Sequence, residues 1–145
     1  MIQTIANCKI LELPKIQDKR GTLTYLEALR HVPFEIRRAY WIYDVPGGEV
    51  RGGHAYKTLE EVIIAVSGSF DVAVNDGEDR RIFTMNRAYF GLYTPGMIWR
   101  DLENFSTNAV CLALASNPYD AGDYVRDHKL YRQLQKSGRQ NDHGR

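Results

Sequence analysis

Neither sign of charge is in excess: 19 Lys and Arg against 18 Asp and Glu leave a net charge of +1 over 145 residues. That balance gives no broad single-signed field, so neither nucleic acid nor an anionic membrane is indicated, and an anionic ligand would have to be gripped locally. No apolar run approaches the roughly 20 residues a spanning helix needs. The opening MIQTIANCKILELPKIQDKRG also lacks the basic head and long apolar block of a secretory leader. These absences lead to the expectation of a cytoplasmic protein without membrane contact. Cysteine is scarce too. Cys8 and Cys111 have no close metal-type spacing, and Cys111 sits inside the apolar run AVCLALA, so both are expected as reduced, buried thiols. Repeats, linkers and low-complexity segments are missing, and helical periodicity is rare.

Strand signals fill the space that helices leave. With 43% hydrophobic residues the chain can bury one core, and residues 1–145 read as a single domain. GTLTYLEAL and RRAYWIYDV are rich in β-branched and aromatic residues, and the second stops at Pro46-Gly47-Gly48. EEVIIAVSG, SFDVAVND, RRIFTM, RAYFGLYTPG, MIWRDLE and NAVCLALA continue the series, with Asp76-Gly77 as a hairpin turn. About eight or nine strands separated by turns imply an all-β antiparallel barrel or jelly-roll sandwich. Only DAGDYVRDHKLYRQLQK has helical spacing, through Tyr124, His128, Tyr131 and Leu134. It predicts a short C-terminal helix starting after Gly122 and Asp123, and a frayed polar tail over 137–145.

Between Gly47 and Gly68, the stretch GGEVRGGHAYKTLEEVIIAVSG keeps the frame of a cupin metal motif: glycine, five residues, His-x-His, three or four residues, glutamate, six residues, glycine. Gly48, His54, Tyr56, Glu61 and Gly68 occupy the five positions, and only Tyr56 departs from the motif. A second, looser motif of proline, glycine, histidine and asparagine is echoed by Pro95-Gly96, Arg100 and Asn104, with arginine where the histidine belongs. A site that exchanges one imidazole for a phenol and another for a guanidinium keeps too few ligands for a divalent ion. No metal and no other cofactor is therefore expected, and Arg100 is expected to face an anion in the mouth of the barrel. His54 and Tyr56 lie two apart in an extended segment, so both emerge on one face. Gly52 and Gly53 leave room for a ligand or another backbone to approach.

The blocks IRRAYWIYDVPGGEVRGGHAYKTLEEV, FGLYTPGMIWRDLENFS and LASNPYDAGDYVRD together resemble the nucleotide-sugar 3,4-ketoisomerases that act on dTDP-4-oxo-6-deoxyglucose. The resemblance implies a metal-free cupin barrel, a homodimer, and a place in deoxyamino-sugar synthesis for surface polysaccharide. Tyr56 departs from it, since many members carry a second histidine there. Moving a ketone from C4 to C3 needs a base for the C3 proton and an enediol, and His54 has the chemistry of that base. Tyr56 is expected to relay protons at the enediol oxygens. Arg51 and Arg100 are candidates for stabilising the developing oxyanion. Arg20, Lys57, Tyr40 and Tyr93 are candidates for holding the dTDP end. Two further readings stay open: an epimerase of dTDP-4-keto sugars, with His54 as base and Tyr56 as acid, and a cupin that binds a sugar nucleotide without turning it over.

Overall fold

The computed structural model describes residues 3–143. In chain order the strands are β1 (Lys9–Glu12), β2 (Lys15–Asp18), β3 (Gly21–Thr24), β4 (Arg38–Ile42), β5 (Arg51–Tyr56), β6 (Glu61–Ser67), β7 (Phe70–Asn75), β8 (Arg80–Met85), β9 (Phe90–Thr94), β10 (Trp99–Glu103), β11 (Val110–Ala115) and β12 (Tyr124–Val125), followed by helix α1 (His128–His143). Two five-stranded sheets form, in the orders β1-β9-β6-β11-β4 and β12-β5-β10-β7-β8, while β2 and β3 pair only with each other. The named pairings are antiparallel, and the sheets do not close on themselves, which makes the cupin fold here a jelly-roll sandwich. Among the described residues no helix is long and apolar enough to cross a membrane.

Alternation along the strands builds the interior. Phe70, Val72 and Val74 of β7 point the same way and meet Ile63, Ala65, Leu92, Leu102 and Cys111 between the sheets. β6 is buried on both faces: Val62 and Ile64 turn outward instead, against Leu13, Val32 and Phe34. That double burial explains why EVIIA reads as a continuous apolar run rather than an alternating one. The two cysteines are free and buried, as expected, and burial pushes their thiols up, Cys8 to about 11 and Cys111 to about 12.

Two expectations change. GTLTYLEAL is a strand only to Thr24. The Glu27 carbonyl accepts from the amides of Arg30 and His31, the Glu27 amide donates to His31 Nδ1, and Leu29 adopts φ 65°, so a locally closed turn replaces the ladder. The C-terminal helix also starts later than its spacing suggests. Asp120 caps a single 3-10 turn over Ala121–Asp123, and Tyr124 and Val125 then pair with Tyr56 and Ala55 of β5, which holds them extended. The α-helix begins only after Asp127, whose carboxylate accepts from the amides of Lys129 and Leu130. At its other end the helix runs through Gly138 to His143. Gln135 and Arg139 hydrogen-bond to the Asp76 carbonyl in the β7–β8 turn and tie that second half down.

Candidate active site

The site grows from β5 and the strands on either side of it. Gly52 has φ 90°, and a Cβ there would stand 3.0 Å from the Arg100 carbonyl, so it is the β10 backbone that Gly52 admits. The β5–β10 register shifts between Arg100 and Asp101, next to that close approach. Beyond the irregularity His54 and Tyr56 emerge on the same face, their rings edge to face with centroids 4.7 Å apart. On the other side of β5, β12 sets Tyr124 opposite Tyr56, so that the Tyr124 ring lies 5.1 Å from His54 and 4.7 Å from Tyr56.

These three rings line a cavity of about 710 Å³, together with Arg38, Tyr40 and Arg126. Trp41, Arg51 and Tyr119 complete part of its rim. A space of that size suits a ligand larger than a monosaccharide. His54 is half-buried, and its Nε2 is buried with no hydrogen-bond partner among the described residues. Burial and the nearby Arg100 charge, with Arg126 and Arg38 acting the same way, lower its pKa to about 4 against an opposing hydrogen bond with the Gly52 backbone. The ring is therefore neutral at neutral pH, with one nitrogen free to accept a proton. Tyr56 is 1% exposed. Burial, the Glu61 charge and a hydrogen bond with Tyr124 hold its phenol well above the ordinary tyrosine range. Its hydroxyl stands 3.4 Å from that of Tyr124.

Behind the rings lies a buried polar cluster. The Tyr40 hydroxyl donates to Glu61 Oε2 at 2.5 Å, and Glu61 Oε1 accepts from Arg100 Nη1 at 2.8 Å. Arg100 also donates to Thr94 Oγ1 and the Ile98 carbonyl, and its guanidinium sits 5.1 Å over the Tyr56 ring. Arg100 is 1% exposed, so it lies inside the sandwich and not in the mouth where an anion was expected to meet it. The physical reason is Glu61: the carboxylate left in the old motif position is an internal partner for the guanidinium. Among the described residues no three His, Cys, Asp or Glu side chains gather as a metal-binding group.

Of the residues singled out in the sequence, His54, Tyr56, Tyr40 and Arg51 meet in this cavity. Arg20 does not. It stands exposed near the tip of the β2–β3 hairpin, paired with Asp18 at 2.7 Å. Lys57 and Tyr93 line a different cleft against α1, where the Tyr93 hydroxyl donates to Glu60 at 2.6 Å. The pleat explains that displacement: Lys57 follows Tyr56 at the end of β5, where the chain has left the face that carries His54. Sequence reasoning missed Arg38, Tyr124 and Arg126. Tyr124 and Arg126 belong to the YDAGDYVR segment, whose helical spacing hid the short strand that delivers them.

A family model described as FdtA: WxcM-like, C-terminal matches residues 6–136. A TDP-4-oxo-6-deoxy-alpha-D-glucose-3,4-oxoisomerase of Aneurinibacillus thermoaerophilus is 37% identical over 124 residues, covering 86% of this chain and 89% of that protein. The TDP-quinovose 3,4-ketoisomerase of Campylobacter jejuni superposes with a TM-score of 0.84 at 46% identity, covering 88% of this chain and 98% of that one. The 3,4-ketoisomerase of Thermoanaerobacterium thermosaccharolyticum, as a histidine-to-asparagine variant in complex with TDP-4-keto-6-deoxyglucose, superposes with a TM-score of 0.89 at 33% identity, covering 90% and 95%.

Proposed function

The chain belongs to the FdtA family of sugar-nucleotide 3,4-ketoisomerases, and we propose that it moves the keto group of TDP-4-oxo-6-deoxyglucose from C4 to C3 through an enediol. The observation that carries this reading is His54 Nε2, buried and unpartnered in a residue that lines the cavity. A neutral imidazole with no competing partner takes the proton from C3, and the resulting imidazolium returns it to C4. The sugar is both oxidised at C3 and reduced at C4, so no external redox partner enters the balance. Arg38 and Arg126 line the same cavity, and guanidiniums in that setting suit the diphosphate of the substrate. Arg51, exposed at the rim, adds a further positive charge. Family membership favours this reaction over epimerisation and over binding without turnover.

Incubation with TDP-4-oxo-6-deoxyglucose in deuterated water tests the proposal. The expected NMR result is a new C3 ketone, with label at C4 only to the extent that the imidazolium proton exchanges with solvent before it returns. Label at C3 or C5 with the ketone still at C4, or an unchanged sugar, would return the epimerase or the binding-only reading. A C3 ketone is the group an aminotransferase requires. That supports a place in deoxyamino-sugar synthesis, and the family resemblance extends the proposal to a cytoplasmic enzyme supplying surface-polysaccharide precursors.

The same reading includes a homodimer. The β2–β3 hairpin pairs with no other strand and exposes Ile16, Leu23 and Tyr25, although a lone two-stranded ribbon is marginal in water. Beside it the outer face of the first sheet carries a groove of about 880 Å³ lined in part by Leu26, Ile36, Ile64, Val66 and Leu112. Apolar surface on both the hairpin and the groove supports burial against a second copy. Ile16→Asp is expected to shift the protein from dimer to monomer in sedimentation at micromolar concentration. A monomeric parent protein, or a variant that sediments unchanged, would remove this part of the reading.

A further inference from the structure

We propose that Tyr124 is a catalytic residue that carries the proton between the two sugar oxygens, O4 and O3, while His54 serves the two carbons. The inference rests on the ketoisomerase reading and adds to it the group that reaction still lacks. When C3 loses its proton, O4 must gain one to give a neutral enediol, and O3 must later lose one to become the new carbonyl. Tyr56 occupies the motif position for a second proton-transfer group, but it is 1% exposed and turned toward the buried Glu61 cluster. Tyr124 is half-buried, lines the cavity and lies 5.1 Å from the His54 ring. Both phenol rings line the cavity beside His54, and Tyr124 is the more exposed of the two.

Its surroundings suit the task. The Arg126 guanidinium lies 4.2 Å over the Tyr124 ring, and Arg38 lines the same cavity. Two cations beside the ring put positive charge where electron density gathers on the sugar oxygens during turnover. The Tyr56 hydroxyl, 3.4 Å from that of Tyr124, helps to fix its orientation, and strand pairing with β5 fixes its height.

The steps balance. In the first, His54 Nε2 takes the C3 proton, the C3–H electron pair becomes the C3=C4 double bond, and the C4 carbonyl π pair takes the Tyr124 proton at O4. In the second, the Tyr124 phenolate takes the proton from the C3 hydroxyl and that O–H pair becomes the C3 carbonyl. The double-bond pair meanwhile takes the imidazolium proton at C4. Both residues end as they began.

The test compares Tyr124→Phe, Tyr56→Phe and Tyr124→His with the parent protein, using NMR turnover of TDP-4-oxo-6-deoxyglucose and calorimetric titration with TDP. Loss of a positioned acid-base group costs about 10² to 10⁴-fold. Tyr124→Phe is therefore expected to lose at least about 10²-fold in kcat while its TDP affinity stays within about threefold. Tyr56→Phe is expected to lose less than about tenfold, and Tyr124→His to recover part of the rate, because imidazole can also give and take a proton. A kcat for Tyr124→Phe within about threefold of the parent overturns the inference and leaves the ketoisomerase reading standing, as does a larger loss in Tyr56→Phe than in Tyr124→Phe. A parent protein that forms no 3-keto product overturns both. A Tyr124→Phe protein that no longer binds TDP, with Tyr124→His no faster, marks the residue as a structural support and also overturns the inference.

Discussion

Glu61→Ala is expected to lower the melting temperature by on the order of 10 °C. The change leaves the Arg100 guanidinium in the interior without its carboxylate, and it strips the Tyr40 hydroxyl of its acceptor. Breaking a buried ion pair from one side costs about 3–5 kcal/mol, because the remaining charge has nothing to replace water. For a domain of this length each kcal/mol moves the melting point by about 2–4 °C. Arg100 already buries an Nε with no partner, so the site has little capacity to absorb a further loss. Arg100→Ala is expected to behave likewise, through the stranded Glu61 carboxylate. The double change Glu61→Leu with Arg100→Met should melt well above either single variant, since an apolar pair of similar volume removes both charges together. Differential scanning calorimetry on the three proteins checks this. A Glu61→Ala protein melting within about 2 °C of the parent would show that the pair does not hold the sandwich together.

That pair also marks the boundary of what the sequence could reveal. The motif frame correctly placed His54, Tyr56, Glu61 and Arg100 in one neighbourhood, because spacing along strands is a local property and β5, β6 and β10 obey it. Whether Arg100 would face an anion or a carboxylate depended on burial, which is a property of two sheets meeting. The Tyr124 position was hidden for a related reason. Tyr124, His128 and Tyr131 have helical spacing, yet pairing with Tyr56 and Ala55 pulls the first of them into a strand, and tertiary contact overrides the local pattern. Residue type alone points to Lys57 and Tyr93, and without the pleat and the β9 register type says nothing about which side of the wall a group stands on. Arg38 was hidden in the same way: only the packed strands show that Arg37 turns to the surface to pair with Glu35 while Arg38 lines the cavity.

His54→Asn is expected to reduce kcat by at least about 10³-fold while TDP binding changes by less than about threefold. Asparagine keeps the polarity and roughly the size of the near half of the ring but offers no basic nitrogen at the buried Nε2 position. Carbon-proton abstraction needs a positioned base, and water cannot easily take its place in a site walled by Tyr56 and Tyr124. The pH profile supplies an independent sign. The active form of the base is neutral imidazole, and its pKa in the free protein is lowered to about 4, first by burial and then by the Arg100 charge. kcat/KM, which reports the free enzyme, should therefore stay flat from pH 7 down to about 5. It should fall only below about 4, rather than near the 6.5 of an exposed histidine. A bound diphosphate brings negative charge near the ring and favours imidazolium, so the acid limb of kcat should lie at higher pH than that of kcat/KM. Stopped NMR assays across pH 3.5–8 separate the two limbs. A near-normal rate in His54→Asn would move the base to another residue. A kcat/KM that falls already below pH 6.5 would instead mean that the Arg100 charge and the burial of the ring do not reach His54 as the geometry requires.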